Sequence, residues 1–371
     1  MTDPYHIDSA DTIPSPQLIF FEDLIDQNIQ EMIRVAGNAD RLRPHCKTHK
    51  TREIATKLIE CGISKHKCAT IAEAEMLASA GAQDVFLAYN IVGPNLDRMV
   101  ALTQQFESVD FKVTADHPIA LTRLSEKMDN ANLEIGVVMD LDTGLQRTGI
   151  RPEQDAVELY EMISSLPGVR PAGLHWYDGQ HRQTDLFERT AAVEEGIAKL
   201  LKLRDQLTMS GFQVPHIIVG GTGSFPIHAQ HQEPQLELSP GTVILHDAGY
   251  KSIYPDLDFV PAAAVLTRVI SRPSSQRATL DLGSKAIAAD PPAGNRCAFP
   301  QLTGAKEILQ NEEHLVLEFE EDTKLVPGDS TIAFPWHVCP TSALYDSAWI
   351  VKDRQIVGTW EIAARNRKIT F

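Results

Sequence analysis

The chain has 371 residues, 43% of them hydrophobic and 23% charged, which suits one large folded domain with a smaller one beside it. Its 50 acidic and 34 basic residues give a formal charge of −16, which argues against nucleic acid or an anionic membrane as a partner, since both need a basic face. No apolar stretch is long enough to span a membrane, Met1 to Pro16 is polar and acidic, and the five cysteines have neither framework nor CxxC spacing. Such cysteine usage suits a reducing compartment, so a cytoplasmic location is expected.

From about residue 40 to 247, short β-like runs alternate with helical stretches. The runs are Leu42–Lys47, Lys65–Thr70, Val85–Asn90, Phe111–Ala115, Ile135–Asp142, Ala172–Tyr177, His216–Gly220 and Leu236–Leu238. Ile71–Ala80, Pro118–Asn130, Asp155–Ser165 and Thr190–Ser210 carry helical periodicity, and several such stretches end at glycine. This alternation predicts an α/β (β/α)8 TIM-type barrel over residues 22–247. A doubly wound open sheet is the competitor, because periodicity does not reveal closure. After Tyr250 the texture becomes β-like, with runs at Ala262–Ser271, Ala278–Leu282, Leu315–Phe319, Ser347–Val351 and Val357–Ile362. Residues 248–371, together with 1–21, are therefore expected to form a second, mostly antiparallel β domain.

Functional residues of a barrel gather at the C-terminal ends of its strands. The first run leads into RPHCKTHK, Arg43 to Lys50, where lysines sit among further cations, two imidazoles and a thiol. Like-charge repulsion and burial there should lower a lysine pKa and make Lys47 a nucleophile able to hold an aldehyde as a Schiff base. A solvated basic loop is the alternative. The seventh run leads into Gly221, Thr222, Gly223 and Ser224, whose clustered N–H groups and hydroxyls suit a phosphate, although a glycine turn with no ligand has the same composition. A nucleophilic lysine and a phosphate nest at one barrel mouth fit pyridoxal phosphate. Arg147 then becomes a donor to its phenolate oxygen, against the alternative of a surface arginine paired with Asp140 or Asp142.

The segment Pro335–Thr341 reads PWHVCPT. In an extended strand residues two apart point the same way, so His337 and Cys339 would present an imidazole and a thiolate together. That pair suits a divalent ion, with zinc favoured by the thiolate and manganese the other candidate. Two protein ligands leave positions open for water and substrate, as a catalytic metal requires. Ordinary packing in a strand is the alternative.

Together these segments resemble the D-threonine aldolase and D-serine dehydratase family, pyridoxal-phosphate enzymes with an alanine-racemase-like barrel (fold-type III). The resemblance runs nearly end to end, through RPHCKTHK, CATIAEAEMLASAG, DLDTGLQRTG, GLHWYDG, VGGTGSFPIH, ELSPGTVILHDAGY, LDLGSKAIAAD and PWHVCPTSALYDSA. It implies that Lys47 holds the cofactor, Arg147 meets its phenolate, Gly221 to Ser224 bind its phosphate, and Tyr177 lies near its ring. It also implies that His337 and Cys339 hold the metal, and that the protein is a homodimer with active sites shared between subunits. His181 is an approximate counterpart of a histidine base in the aldolases. The His-x-Cys pair departs from the His-x-Asp of the aldolase branch and is similar to the zinc-dependent dehydratases.

The expected activity is retro-aldol cleavage of a D-β-hydroxy-α-amino acid to glycine and an aldehyde, with Lys47, His181 and Tyr177 as catalytic groups. The alternative is a D-serine or D-3-hydroxyaspartate dehydratase giving ammonia and a 2-oxo acid. An amino-acid racemase and a non-catalytic pyridoxal-phosphate carrier are further readings, and the metal-like pair argues against both.

Overall fold

The structure, a computed structural model, describes residues 3–152, 154–368 and 370–371. It divides into two compact units, one of Ile33–Lys47, Arg52–Gly241 and Asn366–Phe371, the other of Met1–Met32, Thr48–Thr51 and Thr242–Arg365.

In the first unit seven parallel strands lie side by side in chain order: Lys65–Cys68, Asp84–Asn90, Asp110–Ala115, Ile135–Asp140, Val169–Trp176, Ile217–Val219 and Leu236–Leu238. Residues 42–45 close the curl. Leu42 bridges Leu238 on the last strand, and His45 bridges Lys67 on the first, both in parallel. The run expected over Leu42–Lys47 therefore stops at His45. Pro44 has no N–H to donate, so pairing is carried by Arg43 N to Leu238 O and His45 N to Pro240 O, each 2.8 Å, and by Lys67 N to Pro44 O, 2.9 Å. The chain then turns into a 3-10 helix, Cys46–Thr48. The sheet is a barrel and not the open doubly wound alternative.

Helices between the strands start where the sequence supplies caps. Thr70 accepts from Glu73 N ahead of Ile71–Ser79, and Asp185 accepts from Glu188 N ahead of Leu186–Met209. His117 caps Pro118–Asn130, whose proline falls in the first turn, where no N–H is needed. Phe86, Val138, Ala172 and Ile218, from four different strands, pack as one buried layer inside the sheet.

The N-terminal ends of these strands hold a buried ionic network. Arg43, fully buried, reaches Asp84 at 2.6 and 3.0 Å and Glu237 at 2.5 Å, while Lys112 reaches Asp84 and Asp110, each at 2.7 Å. Burial opposes the charge on Asp84 and Glu237, but Arg43 outweighs it and holds both carboxyls below their ordinary range. Every charge in this cluster is partnered. It lies at the end of a barrel that serves stability.

The second unit is built on a nine-stranded sheet that includes, in order, Lys306–Gln310, Leu315–Glu318, Arg277–Leu280, Ala263–Ser274, Gln17–Phe21, Ser347–Lys352 and Gln355–Glu361. Only Gln17–Phe21 against Ser347–Lys352 is parallel among its named pairings. Ser330–Pro335 and Cys297–Ala298 pair off this path. Besides the two-residue Cys297–Ala298, two strands escape the sequence reading. Lys306–Gln310 is a mostly exposed edge with no alternating apolar face, and Ser330–Pro335 is a short buried run ending in proline.

Candidate active site

Several strand ends of the barrel unit converge on a cavity of about 540 Å³, lined among others by His45, Lys47, Lys67, Asp140, Arg147, His175 and Tyr177. The Tyr177 ring is its centre. Arg147 stacks 4.7 Å from the ring centroid, and the Nζ atoms of Lys47 and Lys67 lie 5.7 and 5.8 Å from it. Three basic side chains thus gather around one aromatic ring. A Cβ on Gly179 would fall 2.1 Å from the Tyr177 hydroxyl, and one on Gly221 would fall 3.2 Å from the ring edge, so glycine at both positions lets the ring approach the backbone closely.

Lys67 is the residue that sequence reasoning missed. It is 3% exposed, and its Nζ lies 2.8 Å from His175 Nε2, while His175 Nδ1 lies 2.7 Å from Asp140 Oδ1. Burial first, then the charge of Lys47, pushes the Lys67 pKa down to about 7. Burial and Lys67 likewise lower the His175 pKa. Burial alone would raise the Asp140 carboxyl, but the bond from His175 outweighs it and holds it below the ordinary range. The signal was available: a parallel barrel strand is usually a near-continuous apolar run, and this one reads Lys-His-Lys-Cys.

The turn Gly221–Ser224 follows the strand Ile217–Val219 and leads into a single helical turn, Phe225–His228. Its serine is committed internally. Ser224 Oγ accepts from Gly221 N at 3.0 Å and donates to Asp178 Oδ1 at 2.5 Å, and His228 Nε2 meets the other Asp178 oxygen at 2.7 Å. Burial opposes the Asp178 charge, but His228 and Ser224 stabilise it and keep the pKa low. Ser224 therefore anchors the turn through its side chain. The three groups do not form a nucleophilic triad, because the carboxylate sits between the hydroxyl and the imidazole.

His181 is not brought into the Lys47 cavity. It lines a second recess with Asp142, Gln146, Arg151 and Glu195, since the chain turns away after Gly179.

In the second unit His337 and Cys339 do not lie in an extended strand, as the spacing suggested. His337 is the N-cap of a short helix, Val338–Ser342, and Cys339 lies within its first turn. Pro340 falls early in that helix, where a missing N–H costs little. The two side chains still interact, and Asp290 pairs with His337 Nδ1; both hold the imidazole pKa up to about 9 against burial. Cys339 Sγ also lies 3.1 Å from Thr48 Oγ1. Asp247 Oδ2 accepts from Val338 N at 3.0 Å and so fixes the start of the helix. An imidazole oriented through Nδ1 by a carboxylate leaves Nε2 for a cation, which is the usual arrangement around a metal-bound histidine.

A further donor group, His45, Cys46 and Glu73, has one ligand atom from each residue within 4.8 Å of the others, all buried. Two of these have backbone duties: Glu73 accepts Ala69 N at 2.6 Å beside the Thr70 cap, and His45 Nδ1 accepts Lys47 N at 3.2 Å.

Residues 22–247 match the family described as alanine racemase, N-terminal domain. The chain belongs to that family. Its members use pyridoxal phosphate. Residues 262–351 match a putative serine dehydratase domain. D-threonine aldolase of Arthrobacter sp is 30% identical over 361 residues, covering 95% of this chain and 93% of that protein. The crystal structure of D-threonine aldolase from Filomicrobium marinum superposes with a TM-score of 0.90 at 29% identity, over 98% of this chain and 99% of that one. D-threo-3-hydroxyaspartate dehydratase from Delftia sp. HT23 shares the fold, with a TM-score of 0.82 at 22% identity over 95% and 98%. That dehydratase has also been solved as a histidine-to-alanine mutant and, two positions further along, as a cysteine-to-alanine mutant in the metal-free form. The chain is thus related to pyridoxal-phosphate-dependent lyases that act on small D-amino acids. None of its described helices is long and apolar enough to cross a membrane.

Proposed function

We propose that the protein is a pyridoxal-phosphate- and divalent-metal-dependent lyase that cleaves D-β-hydroxy-α-amino acids to glycine and an aldehyde, as a D-threonine aldolase does. The observation that carries this reading is the gathering of Lys47 and Arg147 around the Tyr177 ring, whose edge lies against Gly221 of the glycine turn. The residues fit the cofactor: an amine for its aldehyde, a guanidinium for its phenolate, an aromatic ring for its pyridine, and a turn braced by Asp178 for its phosphate. A cavity of about 540 Å³ has room for the cofactor and a small amino acid.

When bound, the cofactor supplies an electron sink for negative charge at Cα. Lys47 would anchor it through its amine and would serve to hold or return a proton at Cα. Arg147 and Tyr177 would orient its ring. His337 and Cys339 would hold a divalent ion, with Asp290 fixing the imidazole, and such an ion supplies Lewis acidity toward a β-hydroxyl. The relationship to the Arthrobacter D-threonine aldolase across 95% of the chain supports the aldolase outcome.

One observation favours the second reading, a dehydratase releasing ammonia and a 2-oxo acid. His337 and Cys339 have the same two-residue spacing as the histidine and cysteine replaced in the D-threo-3-hydroxyaspartate dehydratase structures. Both outcomes begin with cofactor on Lys47. Borohydride reduction followed by peptide mapping should recover the cofactor on the peptide containing Lys47; a reduced protein that carries none there rules out both.

A further inference from the structure

Among the described residues the barrel contains two buried lysines in different surroundings. Lys112 is held by two carboxylates, Asp84 and Asp110, each at 2.7 Å. Lys67 lines the cavity, and among the described residues its Nζ has a ring nitrogen at 2.8 Å and no carboxylate within 4.0 Å. A buried ammonium without an anion is costly. Lys67 therefore has cavity space beside it where an anion could sit, in place of the carboxylates that contact Lys112.

We propose that Lys67 is a second cofactor-binding cation, which contacts the phenolate edge of pyridoxal phosphate and is oriented by Asp140 through His175. The proposal rests on the functional reading above. On the cofactor ring the phenolate is the neighbour of the aldehyde carbon, so the anion nearest the Lys47 attachment point belongs to the ligand. Lys67 and Lys47 stand at matching distances from Tyr177, 5.8 and 5.7 Å, and Arg147 covers the same ring. Two cations would then share the phenolate.

The orienting chain is fully specified. Asp140 accepts the Nδ1–H of His175, which fixes the tautomer and leaves Nε2 to accept a Lys67 N–H. The charged or titratable groups facing Lys67 are Lys47, Arg147, Asp140, Asp178 and His175. Cations and burial outweigh the acids, and Lys67 titrates near neutrality in the absence of a bound anion. An arriving phenolate reverses that balance and draws a proton onto Lys67.

The test compares wild type, Lys67→Met and Lys67→Arg for cofactor dissociation constant and for the pH dependence of the visible absorption of the loaded protein. Removing a charge-assisted hydrogen bond should weaken cofactor binding about tenfold or more in Lys67→Met. The absorption transition of the lysine-bound cofactor should rise by about one pH unit once the neighbouring cation is gone. Lys67→Arg, which keeps the charge, should stay near wild type in both readouts. Unchanged affinity and an unchanged transition in Lys67→Met overturn the proposal, as does Lys67→Arg behaving like Lys67→Met. Wild type that takes up no cofactor on Lys47 overturns the functional reading, and the role of Lys67 with it; wild type that loads normally beside an unchanged Lys67→Met overturns the inference alone.

Discussion

Lys67 and His175 face each other across the barrel interior at 2.8 Å, from the strands Lys65–Cys68 and Val169–Trp176. This contact has a consequence for stability as well as for the cofactor. The folded pKa of Lys67 is about 7 against an ordinary 10.5, so between those values the unfolded chain binds a proton that the folded chain does not. Stability from this group is therefore full above 10.5 and falls as pH drops toward 7. In the cofactor-free protein, Lys67→Met should gain on wild type by on the order of a few kcal/mol between about pH 10 and pH 7. Urea unfolding of both proteins at the two pH values measures this; parallel curves contradict it.

At the opposite end of the barrel Arg43→Met should destabilise the fold by about 3–5 kcal/mol, because it leaves Asp84 and Glu237 buried without their main cation. The folded pKa of both carboxyls is depressed, so their contribution is present above the unfolded value and lost as pH falls through the folded one. Wild-type stability should accordingly decline below about pH 4, and Arg43→Met should lose much of that acid dependence. An urea midpoint that Arg43→Met leaves in place would refute the network's structural role.

Asp178→Asn tests the brace under the glycine turn. Asp178 is fully buried and holds Ser224 and His228 at once, so the amide replaces an acceptor with a donor at one of them. Cofactor affinity should fall by about tenfold, while borohydride labelling at saturating cofactor still reaches Lys47. Affinity equal to wild type would show that the turn does not depend on this carboxylate.

For the metal, His337→Ala and Cys339→Ala should each abolish stoichiometric divalent-ion content and reduce turnover by about 100-fold or more. Asp290→Asn should keep the ion but weaken its binding by about 10- to 100-fold, as expected for a residue that orients a ligand. Metal analysis after gel filtration gives the first result and competition with a chelator the second. Turnover that survives complete metal removal rejects the role assigned to both ligands.

The barrel was legible in the sequence because apolar runs and amphipathic stretches alternate with their own periods, and its strands fall within a few residues of expectation. Lys47, Arg147 and Tyr177 were legible because they lie in unusual segments after strands. Lys67 was not, because a strand interior is read for apolar alternation, and its partners His175 and Asp140 are 108 and 73 residues away in sequence. For His181 the sequence gives proximity to Tyr177 but not the side of the turn it leaves by, and it lines the neighbouring recess. The His-x-Cys segment is legible as a pair, but not its conformation: the strand ends at Pro335, and His337 caps a helix that begins at Val338.

The most direct test of the account is product analysis of the protein loaded with pyridoxal phosphate and a divalent ion and given D-threonine. The account predicts glycine and acetaldehyde in equal amounts, lost on chelation and restored by the ion. Ammonia with a 2-oxo acid in their place contradicts aldolase cleavage and selects the dehydratase, and release of neither pair from D-threonine or D-serine contradicts the lyase assignment itself.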